Sequence, residues 1–167
     1  MVWQAEKPLD ERSSDLGDEY RKAISALDRL YRLMLDVIKY EIDRLGIHDL
    51  TNTQALLLYR MQGQEIITVG ELSCKGHYGV DKATYNIRRL VKFGYLAYKP
   101  LKADKRSVGV TLTEKGAGAR HLVDALLQRQ LLSLESVAQV SQTGLGDINR
   151  SLGRLENFWV DQLRYRL

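Results

Sequence analysis

The sequence predicts a mainly α-helical protein with a small β-hairpin, and three features support that fold class. Apolar residues recur at alternating steps of three and four near both ends of the chain, which is the spacing of amphipathic helices. A segment of alternating apolar residues, Val108, Val110 and Leu112, directly follows a charged loop tip, as in a hairpin. With 167 residues, 44% hydrophobic and 28% charged, the chain can bury the core of one domain. We therefore predict a single domain over residues 1–167.

The amino-terminal region is predicted to be a polar arm over residues 1–15, followed by one long helix over residues 16–46. Gly46 is placed to end this helix. A second apolar flank widens the stripe beyond what a single neighbouring element usually covers. The main stripe consists of Leu16, Tyr20, Ala23, Leu27, Leu30, Met34, Val37 and Leu45.

Two capping signals predict further helices between residues 50 and 94. Thr51 with Gln54 matches a capping box for one helix, and Thr68 with Glu71 matches a box for a second, short helix. After a turn comes a third helix, which Gly94 is placed to stop. Its predicted inner face is apolar and consists of Ala83, Ile87, Leu90 and Val91, whereas its outer face is cationic. The short helix, the turn and the cationic helix together indicate a helix-turn-helix.

A hairpin and more helix complete the chain. The predicted strands, Tyr95 to Lys99 and Ser107 to Leu112, enclose a tip at residues 102–106. Thr113 is placed to cap the next helix. Apolar spacing predicts helix over residues 114–167, with a break at "SQTGLG", residues 141–146. Both ends of the chain would thus carry apolar helix faces that one chain leaves uncovered.

Composition narrows the function classes. A net charge of +4 suits a polyanionic partner, although solubility alone would also explain it. The single cysteine, Cys74, excludes an internal disulfide framework and any cysteine-rich zinc cluster. We find no apolar run of membrane-spanning length and no signal peptide, so we expect a cytoplasmic protein without a membrane partner. Since no phosphate loop, nucleophile elbow, metal-ligand cluster or carboxylate pair is evident, we expect neither an enzyme nor a cofactor or metal site.

The order of helix, turn, cationic helix and charged hairpin over residues 50–113 is that of a winged helix-turn-helix, which predicts a double-stranded DNA partner. The cationic helix would enter the major groove, and Arg106 at the hairpin tip would reach the minor groove, oriented by Asp104. Asn86 would either read adenine or lie against the core. The candidates for groove contact are Lys82, Thr84, Tyr85 and Arg88. The candidates for phosphate contact are Lys75, Arg89 and Lys92. Lys105, at the hairpin tip with Asp104 and Arg106, is a further candidate for DNA contact.

The stretch from Thr68 to Gly116 resembles the MarR family of winged-helix regulators. "TVGEL" matches the family's helix opening, "RRLVKFGYL" the end of its recognition helix, and "DKRSVGVTLTEKG" its Asp-x-Arg wing and the helix that follows. The resemblance implies a homodimer, joined by the helices at 16–46 and 114–167, that binds a pseudo-palindromic operator and responds to a small ligand or an oxidant. At Gly76 and His77 the sequence departs from the family pattern, so we expect the turn there to be built differently. Positions where the family often carries small hydroxyl residues and an arginine are occupied by Asp81, Lys82, Thr84 and Tyr85, so the operator sequence cannot be transferred from other members.

The resemblance also implies a small-molecule effector pocket. Candidate lining residues are Tyr20, Tyr31, Tyr59 and Trp3, although core or interface packing is the preferred interpretation for each of them taken singly. Arg60 could bind an acidic effector or form an ion pair. Cys74, beside Lys75, could sense peroxide or be a structural thiol.

Two functions remain open from the sequence. The first is a homodimeric, ligand-responsive or stress-responsive transcription regulator, either a repressor or an activator. The alternative is a winged-helix adaptor that binds another protein and has no DNA sequence specificity.

Overall fold

The computed structural model of the chain describes residues 11–61, 66–68, 70–72, 80–100 and 108–165. Helices and strands follow in the order α1 (Glu11–Arg44), α2 (Asn52–Tyr59), β1 (Ile67–Thr68), α3 (Val80–Lys92), β2 (Leu96–Pro100), β3 (Val108–Leu112), α4 (Glu114–Ala138) and α5 (Gln142–Tyr165). A mainly helical chain with a small antiparallel wing is therefore confirmed. The chain forms two compact units, residues 1–123 and 124–167, whose boundary falls within α4.

Helix α1 begins at Glu11, inside the predicted arm. It ends where expected, because Gly46 has a φ of 67° and the amide of Ile47 donates to the carbonyl of Ile42 at 3.2 Å. Near this end Ile38 and Ile42 are buried. Further toward the amino end the stripe is open, and Leu16 is 72% exposed. The helix thus contributes to the core of residues 1–123 mainly through its last turns.

Helix α2 forms the centre of that core. The capping box is confirmed: Thr51 Oγ1 accepts the amide of Gln54 at 3.2 Å, and Gln54 Oε1 accepts the amide of Thr51 at 3.1 Å. The following side chains are buried in an unbroken run, consisting of Ala55, Leu56, Leu57 and Leu58. A helix that is apolar on every side must be surrounded by other elements, and α2 packs against α1.

The wing is a three-stranded antiparallel sheet in the order β1-β3-β2. The predicted hairpin is present, with Tyr98 opposite Val110. Strand β1 was not predicted, because two residues cannot display the alternation that marks a strand. Thr68 both pairs with Gly109 and caps the helical residues 70–72, accepting the Glu71 amide on Oγ1 at 3.1 Å. The second capping box is thus confirmed as well.

Thr113 starts α4 as predicted, since its Oγ1 accepts the amide of Gly116 at 3.1 Å. The predicted break at residues 141–146 was placed too late. Helix α4 ends at Ala138, and Ser141 caps α5 by accepting the amide of Gly144 at 3.1 Å. Gly144 and Gly146 therefore lie within α5, because the serine cap outweighs the low helix propensity of glycine. Within the described residues, no helix is both long and apolar enough to cross a membrane.

Candidate nucleic-acid interface

Helix α3 is held in the fold by its apolar face. Ala83, Ile87 and Leu90 recur at steps of four and three, and each is at most 1% exposed. The helix stops at Gly94, whose φ is 77°, and the amide of Tyr95 reaches back to the carbonyl of Leu90 at 2.8 Å. The inner face and the glycine stop follow the sequence prediction. The opposite face is consequently directed toward solvent.

Most of the predicted DNA-contacting residues that the structure describes share this outer face. Tyr85 is 59% exposed. Arg88, Arg89 and Lys92 are exposed beside it, and Thr84 is half-buried. Lys82 lies in the first turn of the same helix. An aromatic ring and several cations on one accessible helix face can contact base edges and phosphates in a major groove.

The guanidinium of Arg89 is held between two aromatic rings. It lies 6.0 Å from the ring centre of Tyr85 and 5.3 Å from that of Phe93, and its Nη1 donates to the Tyr85 hydroxyl at 3.2 Å. Cation–π contacts of this kind restrict the rotamers of an exposed arginine. Arg89 is thus oriented along the helix surface before any partner binds, which suits the phosphate contact predicted for it.

Asn86 differs from its neighbours on α3. Its side chain is half-buried, and its Oδ1 accepts a hydrogen bond from Gln54 Nε2 at 3.3 Å. The sequence left two possibilities for Asn86, adenine reading or a position against the core. The structure places its carbonyl oxygen against α2, an arrangement that no local sequence signal indicates because the two residues are 32 positions apart.

The base of the wing is held by a polar cluster that the sequence analysis did not identify. The buried Tyr95 donates from its hydroxyl to Asp49 Oδ1 at 2.5 Å. Lys115 Nζ forms an ion pair with Asp49 Oδ2 and donates to the carbonyl of Phe93 at 3.0 Å. The hydrogen bonds from Lys115 and Tyr95 lower the pKa of Asp49 below its usual value. Burial, and then the bond to Asp49, raise the pKa of Tyr95. The cluster joins the loop after α1, the start of the hairpin and the first turn of α4.

The four effector-pocket candidates within the described residues lie on α1 and at the end of α2. Tyr20 and Tyr31 lie about 16 Å apart along α1, at about 1.5 Å per residue, too far to touch one small ligand within one chain. Tyr59 and Arg60 are half-buried at the end of α2. A cavity of about 490 Å³ lies at the wing base instead, and none of the four is among its lining residues. That lining includes residues 45–49, Tyr95, Lys115, Ala119 and Leu122.

Several predicted residues lie outside the described part of the chain. These are Trp3, Cys74, Lys75, Asp104, Lys105 and Arg106, and the roles assigned to them remain predictions. Across the described ranges, His, Cys, Asp and Glu side chains form no group of three or more that could hold a metal ion.

Comparison with known proteins adds one relative that spans most of the chain. The exopolysaccharide II synthesis transcriptional activator ExpG of Rhizobium meliloti is 29% identical over 163 residues, which is 95% of this chain and 81% of ExpG. No protein-family model matches the chain.

Solved structures share the fold over most of their length. A cysteine-to-serine variant of MarR from E. coli, complexed with operator DNA, has a TM-score of 0.67 and 21% identity, covering 83% of this chain and 96% of that one. A Staphylococcus aureus MarR in complex with salicylate and kanamycin has a TM-score of 0.70 and 17% identity, covering 89% of this chain and 97% of that one. At these identities the likeness shows a shared fold.

Proposed function

We propose that this winged helix-turn-helix chain is a transcription regulator of the MarR family and that it binds a specific duplex DNA sequence through α3. The observation that carries the proposal is the division of α3 into a buried apolar face and an exposed face with Tyr85, Arg88, Arg89 and Lys92. The related ExpG is named as a transcriptional activator, and the similar E. coli MarR variant is complexed with operator DNA. The residues at the hairpin tip, Asp104 to Arg106, would add a minor-groove contact.

The active form in this proposal is a homodimer on a pseudo-palindromic operator. Support comes from large apolar side chains that the single chain leaves in water on both terminal helices. Leu16 and Leu30 on α1 are 72% and 60% exposed, and Leu163 on α5 is 79% exposed. Rows of exposed apolar side chains mark protein–protein contact, and most such assemblies are twofold symmetric. A twofold dimer would present two copies of α3 to successive turns of the duplex.

The proposal includes a small-molecule effector whose identity is open. The S. aureus relative is in complex with salicylate and kanamycin. The wing-base cavity of about 490 Å³ falls within the range of ligand pockets, and it adjoins the helix α4 on which the wing rests. A ligand there would contact the elements that position the wing.

The test is selection of a duplex from a random pool, followed by a salt series with the selected duplex. We expect log K to fall linearly with log salt concentration, with a slope of about −0.9 for each phosphate contact. Lys92→Ala should reduce the slope by roughly one unit per subunit. Lys22→Ala removes the same charge from α1, where Lys22 is ion-paired with Glu19, and should leave the slope unchanged.

Failure of the wild-type protein to enrich any sequence would contradict the proposed function. A tight protein partner recovered under the same conditions would then favour the adaptor alternative. Equal slopes for Lys92→Ala and Lys22→Ala would show that Lys92 makes no phosphate contact. That result would contradict the placement of α3 in the interface even if DNA binding were found.

A further inference from the structure

We propose that Gln54 is a positioning residue that sets the DNA sequence specificity of α3 without touching DNA. It acts through Asn86 and rests on the proposed function, since specificity has meaning only if α3 reads a duplex. Gln54 is a buried polar residue, 2% exposed, on helix α2, directly before the buried apolar run of that helix. Burying an amide is costly unless both of its ends are hydrogen-bonded.

Both ends of the Gln54 side chain are used, and they serve different helices. Oε1 accepts the amide of Thr51 at 3.1 Å and so completes the cap of α2. Nε2 donates to Asn86 Oδ1 at 3.3 Å and so reaches the middle of α3. The cap alone would need only an acceptor, which a glutamate also supplies. The donor end is the part of glutamine that connects α2 to the reading helix.

The amino end of α2 is in turn attached to α1. Asn52 Nδ2 donates to the carbonyl of Leu35 at 3.0 Å, and Asn52 Oδ1 accepts the amide of Thr53 at 2.8 Å. Two residues in the first turn of α2, Asn52 and Gln54, therefore hold the backbone of α1 and a side chain of α3. All of these groups belong to the compact unit of residues 1–123. The proposed dimer helix α1 and the reading helix α3 are linked by directional bonds through α2.

A directional bond supplies what the apolar contacts of α3 lack. Ala83, Ile87 and Leu90 anchor the helix by contacts that depend weakly on orientation. With side chains extending about 5–6 Å from the helix axis, a rotation of about 10° moves their tips by about 1 Å. Base contacts need positions within about 0.5 Å and 10–20° of the productive geometry. The Gln54 to Asn86 bond limits this rotation, so its loss should affect every base that α3 reads.

The experiment compares Gln54→Met, Asn86→Ala, the double variant and Thr51→Ala. Methionine keeps the length and helix propensity of glutamine but lacks both polar ends. Thr51→Ala is the matched control, because it removes the hydroxyl half of the same cap and leaves the Gln54 to Asn86 bond in place. Each dimer is titrated with the duplex that the wild type selects and with a scrambled duplex, at a temperature where circular dichroism shows all variants folded. Selection from a randomised duplex then gives the preference at each base pair.

We expect Gln54→Met to lower the ratio of specific to scrambled affinity on the order of tenfold. It should also weaken the sequence preference at several base pairs together. Thr51→Ala should lower the melting temperature without changing the ratio. In the Asn86→Ala background, Gln54→Met should have little further effect, because its route to α3 is already absent. If Gln54→Met does not fold, Asn86→Ala tests the inference alone. Loss of positioning should weaken the sequence preference at several base pairs, whereas loss of a direct contact should weaken it at one.

An unchanged preference profile for Gln54→Met would overturn the inference, as would additive effects in the double variant or relaxation of a single base pair by Asn86→Ala. None of those results would affect the proposed function, because the wild-type protein would still select a sequence. If the wild-type protein selected no sequence, that separate result would contradict both the proposed function and this inference.

Discussion

Gly116→Ala is expected to destabilise the protein strongly, because the first turn of α4 lies directly against the backbone of the wing. A Cβ atom at this position would lie 2.0 Å from the carbonyl oxygen of Tyr95 and 3.2 Å from Leu112 Cδ2. That carbonyl also accepts the amide and the hydroxyl of Thr113, each at 3.1 Å. The obstacle is therefore a backbone atom already held by two hydrogen bonds, and no side-chain rotation can relieve the clash.

The magnitude follows from these contacts. Carbon–oxygen contacts shorter than about 3.3 Å are unfavourable, so the helix and the strand would have to separate by more than about 1 Å. Overpacking of this kind costs about 1–3 kcal/mol. Weakening the Thr113 bonds adds about 1 kcal/mol, and the better helix propensity of alanine returns about 0.5–1 kcal/mol. We expect the free energy of unfolding to fall by about 1–3.5 kcal/mol.

Gly118→Ala is the matched control, because an added Cβ there meets nothing within 4 Å. It should raise the free energy of unfolding by about 0.5–1 kcal/mol. The assay is urea unfolding followed by circular dichroism at one fixed protein concentration, since the proposed dimer would unfold in a concentration-dependent manner. If both alanine variants were equally stable, the close approach of α4 to Tyr95 would be refuted.

Two further predictions concern the wing base and the turn between the last helices. Tyr95→Phe removes the hydroxyl bond to Asp49 and should cost about 1 kcal/mol at pH 7. The pKa of Asp49 is lower in the folded protein than in the unfolded chain. The destabilisation by Tyr95→Phe should therefore be fully present above the unfolded pKa of about 3.9 and should shrink as the pH falls through the lower, folded pKa. Urea titrations measure the free energy of unfolding of Tyr95→Phe and of the wild type at each pH. A difference between the two that did not change with pH would argue against the hydrogen bond from Tyr95 to Asp49. Gln139 has a φ of 55°, so Gln139→Gly should relieve about 1 kcal/mol of strain, and a lower melting temperature would contradict this.

Much of the frame could be predicted because its signals are local. The stop at Gly94 needs a residue that tolerates a positive φ, and the Thr51 cap needs its partner only three residues later. The inner face of α3 follows from helical periodicity alone. The candidate DNA-contacting residues on α3 were reached in the same way, as the positions that remain once Ala83 and Leu90 face inward.

Strand β1 and the polar contacts between elements were missed because they depend on residues far apart in the chain. Strand β1 exists because β3 offers an open edge to Ile67, and two residues carry no pattern of their own. Asp49 meets Tyr95 and Lys115 across 46 and 66 positions, and Gln54 meets Asn86 across 32. No spacing rule connects residues at such separations, since their proximity is a result of packing.

The sequence by itself determined most of the helices, the caps at Thr51, Thr68 and Thr113, the stops at Gly46 and Gly94, the hairpin and the cationic face of α3. Each of these depends on interactions within a few residues of backbone. Only the tertiary structure decided which polar groups anchor those elements to one another. Gln54, which the sequence marks only as part of a cap, bonds to Asn86 on α3, and Asp49 bonds to Tyr95 at the wing base. A buried polar group must find its hydrogen-bond partner wherever packing brings one, and the fold alone specifies that place.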